Sequence, residues 1–365
     1  MKSQAIDFVN LFELEELARG RLPRVVYDFI AGGATDEVTL RRARAVYESL
    51  LLRPRMFGGA AMPQLGTTVL GQPIALPVLV APAGNHGSVH PDAEFATAAA
   101  SADVGTIMAV SSGSTFSLEE ISAKATGPLW FQQYLFRDSS FTLEMADRAA
   151  RAGYRAICIT VDAAIPPKRE RNIRNPIPFP TPANYLNLKP DDVQGPTEAD
   201  TAPGVLNLID RASPEALAEL AAHTELPIVV KGILTAEDAK VAIANGASAV
   251  VVSNHGGRQI DTTVASIEAL PEVVAAAEGA EVYLDGGIRR GGDIVKALSL
   301  GARAVFIGRP VFWGLAVDGA AGVRAVFEIL REELTLDLAM CGVESVAEVP
   351  RSLVALRSPL ESPPL

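Results

Sequence analysis

A histidine and an arginine stand three residues apart in the stretch 253–261 (Ser-Asn-His-Gly-Gly-Arg-Gln-Ile-Asp), with two glycines between them. An imidazole exchanges a proton near neutral pH, and a guanidinium grips a carboxylate through two parallel hydrogen bonds. His255 and Arg258 are therefore a candidate base and a candidate carboxylate anchor. Gly256 and Gly257 let the backbone turn sharply and let a flat ligand come close. A loop with a capping histidine and a surface arginine is the structural alternative. Asp162, at the end of another apolar run, is the natural partner for His255, because a carboxylate beside an imidazole favours its protonated form and fixes its orientation. Lys231 ends a third run, directly before Gly232. Three readings of it stay open: a Schiff-base amine, a cation set against an electron-rich cofactor, or a buried lysine paired with Asp162 or Asp285.

Two glycine-rich turns point to a phosphate. Residues 285–292 (Asp-Gly-Gly-Ile-Arg-Arg-Gly-Gly) and 307–310 (Ile-Gly-Arg-Pro) combine bare backbone with Arg289 and Arg309. Main-chain N–H groups and a helix N-terminus can wrap a phosphate there, and Asp285 can accept hydrogen bonds from ribityl or ribose hydroxyls. His86, His90 and His223 have no His-x-His or Glu-x-x-His spacing, so no metal site is expected. For His86 a loop hydrogen bond is preferred over a place in the pocket wall.

The elements that must position these groups follow a rhythm. Short strand-like runs occur at 77–82, 105–112, 129–134, 156–162, 227–232, 249–255, 282–287 and 304–309, separated by alanine-rich stretches of helical period such as 93–102 and 141–152. Eight such alternations predict an α/β fold, a (β/α)8 TIM barrel. The runs end in Ser111, Tyr134, Asp162, Lys231, His255, Asp285 and Arg309, which a barrel gathers on one rim. Upstream, residues 8–31 read as helices restarting at Pro23, with Phe29 in the last turn, and form an N-terminal cap over one mouth within a helical segment of about 1–60. The barrel proper spans about 75–335, and the whole chain, 1–365, forms one domain. Residues 166–215, dense in proline and acidic side chains, interrupt the rhythm after strand four and are expected to form a lid over the site.

Composition narrows the function classes. The 365 residues are 48% hydrophobic and carry a net charge of −11 without a basic stripe, which argues against nucleic acid and anionic membrane surfaces as partners. Cys158 and Cys341 are the only cysteines, so neither a disulfide framework nor a metal quartet is expected, and the default compartment is the reduced cytoplasm. No signal peptide and no apolar run of the ~20 residues needed to span a membrane is recognised.

These motifs, in this order, resemble the FMN-dependent L-2-hydroxyacid oxidases and dehydrogenases, the family of glycolate oxidase, lactate oxidase, mandelate dehydrogenase and hydroxymandelate oxidase. The resemblance runs from Leu22 to about Val349. It implies that Pro82, Ala83, Gly84, Ser111, Gln132, Thr160, Lys231 and Ser253 surround the flavin ring and ribityl chain of FMN, and that Asp285, Gly286, Gly287, Ile288, Arg289, Gly308 and Arg309 hold its tail and phosphate. It implies that His255 is the base, steadied by Asp162; that Arg258 and Arg169 bind the substrate carboxylate, with Tyr134 on its hydroxyl or carboxylate; and that Lys231 stabilises negative charge on the reduced flavin. A homotetramer or homo-octamer is the implied assembly.

Two departures matter. Phe29 replaces a tyrosine that usually reaches the carboxylate, and Gly113 replaces a bulky residue over the pocket. Both enlarge the site, so the expected substrate is a 2-hydroxyacid with a bulky, mandelate-like side chain, oxidised to the 2-oxoacid. Gly84, where oxidases tend to carry alanine, leans towards an acceptor other than oxygen, and the acceptor stays open. The rival readings are an FMN barrel acting on another substrate, such as an amine, and a non-catalytic phosphate-binding barrel.

Overall fold

The computed structural model describes residues 8–177, 180–185, 209–210 and 212–356. Eight parallel strands close into a barrel: β4 (Val78–Val80), β5 (Met108–Ser111), β6 (Leu129–Gln133), β7 (Ile157–Thr160), β8 (Ile228–Ile233), β9 (Ala247–Val252), β10 (Glu281–Asp285) and β11 (Ala304–Ile307). They follow one another around the wall in chain order, and β11 pairs with β4 to remove the edge. Each is three to six residues long and almost wholly buried, because one face fills the barrel and the other is covered by helices. The eight strands are those expected from the apolar runs, and the (β/α)8 fold holds.

The interior is a packed core. Trp130, Tyr283 and Phe306 meet edge to face or tilted, at 5.8–6.0 Å between ring centres, and Ala109, Ala156, Ala249 and Ala304 opposite them supply the room. The hairpin of β2 (Thr67–Val69) and β3 (Gln72–Ile74) adds Val69 and Ile74 to that core and is tied on through Leu70 N, which donates to Glu281 at 3.1 Å. One barrel end is thereby plugged, which leaves the carboxyl rim for the site.

The N-terminal helices sit at that rim. Helix α1 (Leu11–Arg21) starts at Asn10, whose Oδ1 accepts from Phe12 N and Glu13 N. Helix α2 (Arg24–Ala31) follows Pro23 as expected. A further helix, α3 (Val38–Ser49), continues the helical segment beyond residues 8–31, and β1 (Leu50–Leu52) pairs with β12 (Val354–Leu356), so that segment ends before residue 60. Helices α4 (Ala93–Asp103), α5 (Leu118–Lys124), α6 (Ser139–Arg151), α7 (Glu170–Arg174), α8 (Pro214–His223), α9 (Ala236–Ala244), α10 (Ser266–Ala276) and α11 (Gly291–Ser299) connect the strands. Helix α12 (Arg309–Met340) is long and apolar enough by length and composition to cross a membrane, but it is kinked at Asp318 and Gly319, and no uninterrupted apolar run in it approaches ~20 residues. In the fold 72% of that window is buried, so its apolarity is that of a core helix.

Of the expected lid, 178–179, 186–208 and 211 lie outside the described residues. Its described flanks contribute Pro167, Arg169, Pro182, Tyr185 and Ile209 to the wall of the cavity above the barrel.

Candidate active site

Three consecutive residues after β9 adopt left-handed backbone: His255 (φ 57°), Gly256 (φ 65°) and Gly257 (φ 72°). A Cβ on Gly257 would stand 2.8 Å from Leu40 N, and one on Gly256 would stand 2.8 Å from Arg309 Nη1, so both positions require glycine. His255 alone accepts the strained conformation with a side chain, a cost of roughly 1–3 kcal/mol that places its ring in the cavity wall. Its Nδ1 lies 2.9 Å from Asp162 Oδ1. Because a carboxylate accepts, Nδ1 carries the hydrogen and Nε2 is left as the basic atom. Burial pushes the His255 pKa below its ordinary value of 6.5, with Asp162 pulling the other way, so the ring is neutral at pH 7. Burial pulls the Asp162 carboxyl upward, yet His255 and Lys231 outweigh it and hold the group below its ordinary value. Gly232 (φ 110°) makes the pairing possible, since a Cβ there would stand 2.8 Å from Asp162 Cγ.

Lys231 is buried with its Nζ 3.1 Å from Asp285 Oδ2 and 2.9 Å from Ser253 Oγ. Burial opposes its charge, but Asp285 and Asp162 prevail and keep it an ammonium. A Schiff base needs a neutral amine, so that reading loses ground to the fixed cation. Asp285 Oδ1, also buried, has no hydrogen-bond partner among the described residues.

Arg258 lines the cavity, with its guanidinium 5.0 Å from the centre of the Phe29 ring and Nη1 donating to the carbonyls of Phe29 (2.6 Å) and Gly32 (3.0 Å). Arg169 donates from Nε to Arg258 O and from Nη2 to Gln259 Oε1, both at 3.0 Å. Gln259 also donates to Asp162 O at 2.8 Å, so it links the arginine pair to the histidine pair. Arg309 donates to the carbonyls of Ile30, Gly32 and Gly256 at 2.8–3.0 Å, and burial brings its pKa down to about 10. Its side chain therefore clamps α2 to the β9 loop, a task the sequence did not suggest.

The remaining expected residues divide into two layers. Pro82, Ala83, Gly84, Ser111, Gly113, Tyr134, Gly286, Gly287, Ile288, Arg289 and Gly308 line one cavity of about 260 Å³ with His255, Lys231 and Asp285. Gln132, Thr160 and Ser253 are buried at strand ends but do not reach its wall. Gln132 meets Ser111, whose Oγ donates to its Oε1 at 3.0 Å, and Ser253 Oγ accepts from Lys231 Nζ; Thr160 is the register neighbour of Lys231. Sequence reasoning missed Tyr185, Phe312 and Gln259 in the wall. Gln259 was within reach of it, since it lies in the 253–261 motif, whereas Tyr185 sits in the proline-rich interval where no periodicity marks a face.

His86 keeps to its loop: its Nδ1 lies 3.0 Å from Thr97 Oγ1 and its ring packs 4.6 Å from Phe312. Among the described residues no group of three His, Cys, Asp or Glu side chains is placed to hold a metal ion.

Residues 18–356 match the family model described as FMN-dependent dehydrogenase. The chain belongs to the FMN-dependent dehydrogenase family. Among its similar relatives are an L-lactate oxidase of Nostoc sp., 45% identical over 361 residues covering 95% of this chain and 98% of the relative, and the glycolate oxidase of Spinacia oleracea, 41% identical over 355 residues covering 96% of each. Among solved structures, a mandelate oxidase crystal structure superposes with a TM-score of 0.88 at 41% identity, over 96% of this chain and 99% of that one. A mandelate oxidase with (S)-4-hydroxymandelic acid gives 0.88 at 40% identity, over 95% and 98%. This FMN-dependent dehydrogenase is thus an enzyme that oxidises 2-hydroxyacids.

The site's own chemistry fits FMN. Gly286 (φ 92°) and Gly287 (φ 79°) form a turn without side chains, the N-terminus of α12 opens at Gly308, and a buried ammonium stands in the same wall. Among the described residues Asp285 Oδ1 has no hydrogen-bond partner, and Gln132 Nε2, near the Tyr134 hydroxyl, makes no well-formed hydrogen bond. Buried polar atoms of this kind ordinarily find a partner, and a polyhydroxylated, carbonyl-bearing cofactor supplies several.

Proposed function

We propose that the substrate is a 2-hydroxyacid with a bulky, aromatic side chain, and that His255 is the base. The observation that carries the side-chain assignment is the opening at Gly113. A Cβ there would meet nothing closer than Ser111 Oγ at 3.5 Å, and Phe29, Tyr134, Tyr185 and Phe312 supply aromatic surface around the same cavity. The likeness to mandelate oxidase structures supports this reading, and the likeness to lactate and glycolate oxidases favours a small acid as the second.

In the proposed reaction R–CHOH–COO⁻ loses two electrons and two protons and leaves as R–CO–COO⁻. Arg258 and Arg169 hold the carboxylate and Tyr134 the hydroxyl or carboxylate, which fixes the reacting carbon before chemistry begins. His255 Nε2 takes a proton, and Asp162 stabilises the imidazolium that results. Lys231, kept charged by Asp285 and Asp162, is a preorganised cation for negative charge developing in the cavity. FMN, which the 82–84 turn, Ser111, Lys231 and the 285–289 and 308–309 turns would hold, would supply the acceptor for the two electrons and the second proton when bound. Gly84 does not require an unusual acceptor, because a Cβ on it would stand 2.6 Å from Gly113 O; packing alone accounts for that glycine. The oxidase names of the relatives support oxygen as acceptor. Both cysteines are free and buried, which is compatible with the cytoplasm, and the exposed Ile165 and Ile260 are compatible with a homo-oligomer.

The deciding experiment is anaerobic flavin reduction across L- and D-2-hydroxyacids of rising size, followed by reoxidation with air or a quinone. Mandelate-type acids are expected to bleach the flavin fastest. Faster bleaching by lactate or glycolate would replace the first reading by the second.

A further inference from the structure

Helix α3 touches both loops on which the proposed function depends. At its start, Asp261, the last residue of the His255 motif, accepts from Val38 N (3.2 Å), Thr39 N (2.8 Å) and Thr35 Oγ1 (3.0 Å). Further along, Ala43 and Tyr47 lie against the glycine turn after β10: a Cβ on Gly287 would stand 2.7 Å from the Tyr47 ring and 3.0 Å from Ala43 O. Between them Arg44 Nη1 donates to Gly287 O (2.5 Å) and to Asp293 Oδ2 (2.6 Å). The same Asp293 oxygen accepts from the main-chain N–H of Arg289 (2.9 Å) and Arg290 (3.0 Å). Arg44 is largely buried, its guanidinium 5.5 Å from the Tyr47 ring centre and 5.6 Å from that of Phe12. Its neighbours are otherwise engaged, Arg290 with Glu333 and Lys296 with Tyr47 O. Among the described residues Arg44 is the one cation paired with Asp293.

The geometry has a direct consequence. Two glycines in positive φ have many alternative conformations, so a cradle built from them binds well only if something outside it fixes their peptides. In a trans peptide the C=O and the following N–H point in opposite directions, and no peptide here is cis. Holding Gly287 O on Arg44 therefore aims the Ile288 N–H away from α3, and Ile288 lines the cavity.

We propose that Arg44, with Asp293, is a positioning residue for the FMN phosphate: it locks the 286–290 turn, whose Arg289 and Arg290 N–H groups are held by Asp293, so that the Ile288 N–H faces the anion. The inference rests on FMN binding at this site. It is tested by titrating FMN into apoprotein and following quenching of flavin fluorescence. Relative to the wild type, Arg44→Met is expected to raise the FMN Kd about tenfold to hundredfold, the worth of one charge-assisted hydrogen bond, while kcat at saturating FMN stays within about threefold. Arg44→Lys should recover part of the lost affinity. Asp261→Asn, at the opposite end of the same helix, should leave the Kd within about threefold, which separates turn geometry from a general loosening of α3. If Arg44→Met does not yield folded apoprotein, Asp293→Asn carries the same expectation. A wild type that takes up no FMN overturns the cofactor assignment and this inference together; a wild type that binds FMN with Arg44→Met binding it equally well overturns this inference alone.

Discussion

Replacing Asp162 by asparagine keeps the shape of the His255 contact and removes its charge. The contact is a 2.9 Å hydrogen bond between side chains that are 25% and 16% exposed, so solvent screens it little. With about 4 Å between charge centres and an effective dielectric of about 20, a carboxylate stabilises an adjacent imidazolium by roughly 4 kcal/mol. Proton transfer is incomplete in the transition state, so a fraction of that energy reaches the rate. At about 1.36 kcal/mol per decade, kcat/KM is expected to fall by about 10²–10³-fold. The pH dependence gives a sharper test. His255 sits below its ordinary value of 6.5 because burial outweighs the upward pull of Asp162. The wild-type acid limb of kcat/KM therefore lies below 6.5, and removing Asp162 moves it lower still while the plateau drops. The linked stability has the same sign. A histidine whose folded pKa is depressed contributes stability that is present above 6.5 and is lost as the pH falls through the folded value. The assay is stopped-flow anaerobic flavin reduction from pH 4 upward in wild type and Asp162→Asn. A plateau preserved within about threefold, or an acid limb displaced upward, would refute the base assignment.

Two further outcomes follow from the packing. Lys231→Met leaves the Asp285 carboxylate buried without its cation, so apoprotein stability in a denaturant titration is expected to drop by about 3–5 kcal/mol, with part of the loss recovered in the Lys231→Met/Asp285→Asn double variant; an unchanged midpoint would show that the pair carries no stability. Gly113→Ala should fold normally, since its Cβ would make ordinary contacts at 3.5 and 3.8 Å, whereas Gly113→Trp should raise KM for mandelate-type acids at least about tenfold more than for lactate. Equal effects on both acids would mean that Gly113 does not face the substrate's side chain.

Much of the site could be read from the chain because its parts are local. The motif 253–261 contains its own turn, its own imidazole and its own guanidinium, and strand periodicity placed it on the rim. The eight apolar runs became the eight strands because burial on both faces leaves an unbroken apolar signal in each. Helix α3 was covered only by the broad helical segment of about 1–60 and not marked as an element of its own, although its role is large: its sequence carries three arginines and shows only Thr39, Ala43 and Tyr47 to the interior, too narrow a stripe to stand out.

The sequence by itself determined the barrel, the order in which chemical groups reach its rim, a glycine-rich phosphate corner and the candidacy of His255 and Arg258, since each depends on neighbours within a few residues, while the resemblance to a family supplied the cofactor. Only the tertiary structure decided how charge is distributed among them. It paired Lys231 with Asp285, turned Arg309 onto three carbonyls, set Gln132 and Ser253 behind the wall and brought Arg44 to the Gly287 turn 243 residues away. The physical reason is that a hydrogen bond or ion pair is fixed by distances of about 3 Å in space. Strand register and helix docking set those distances, and residue type and spacing along the chain leave them undetermined.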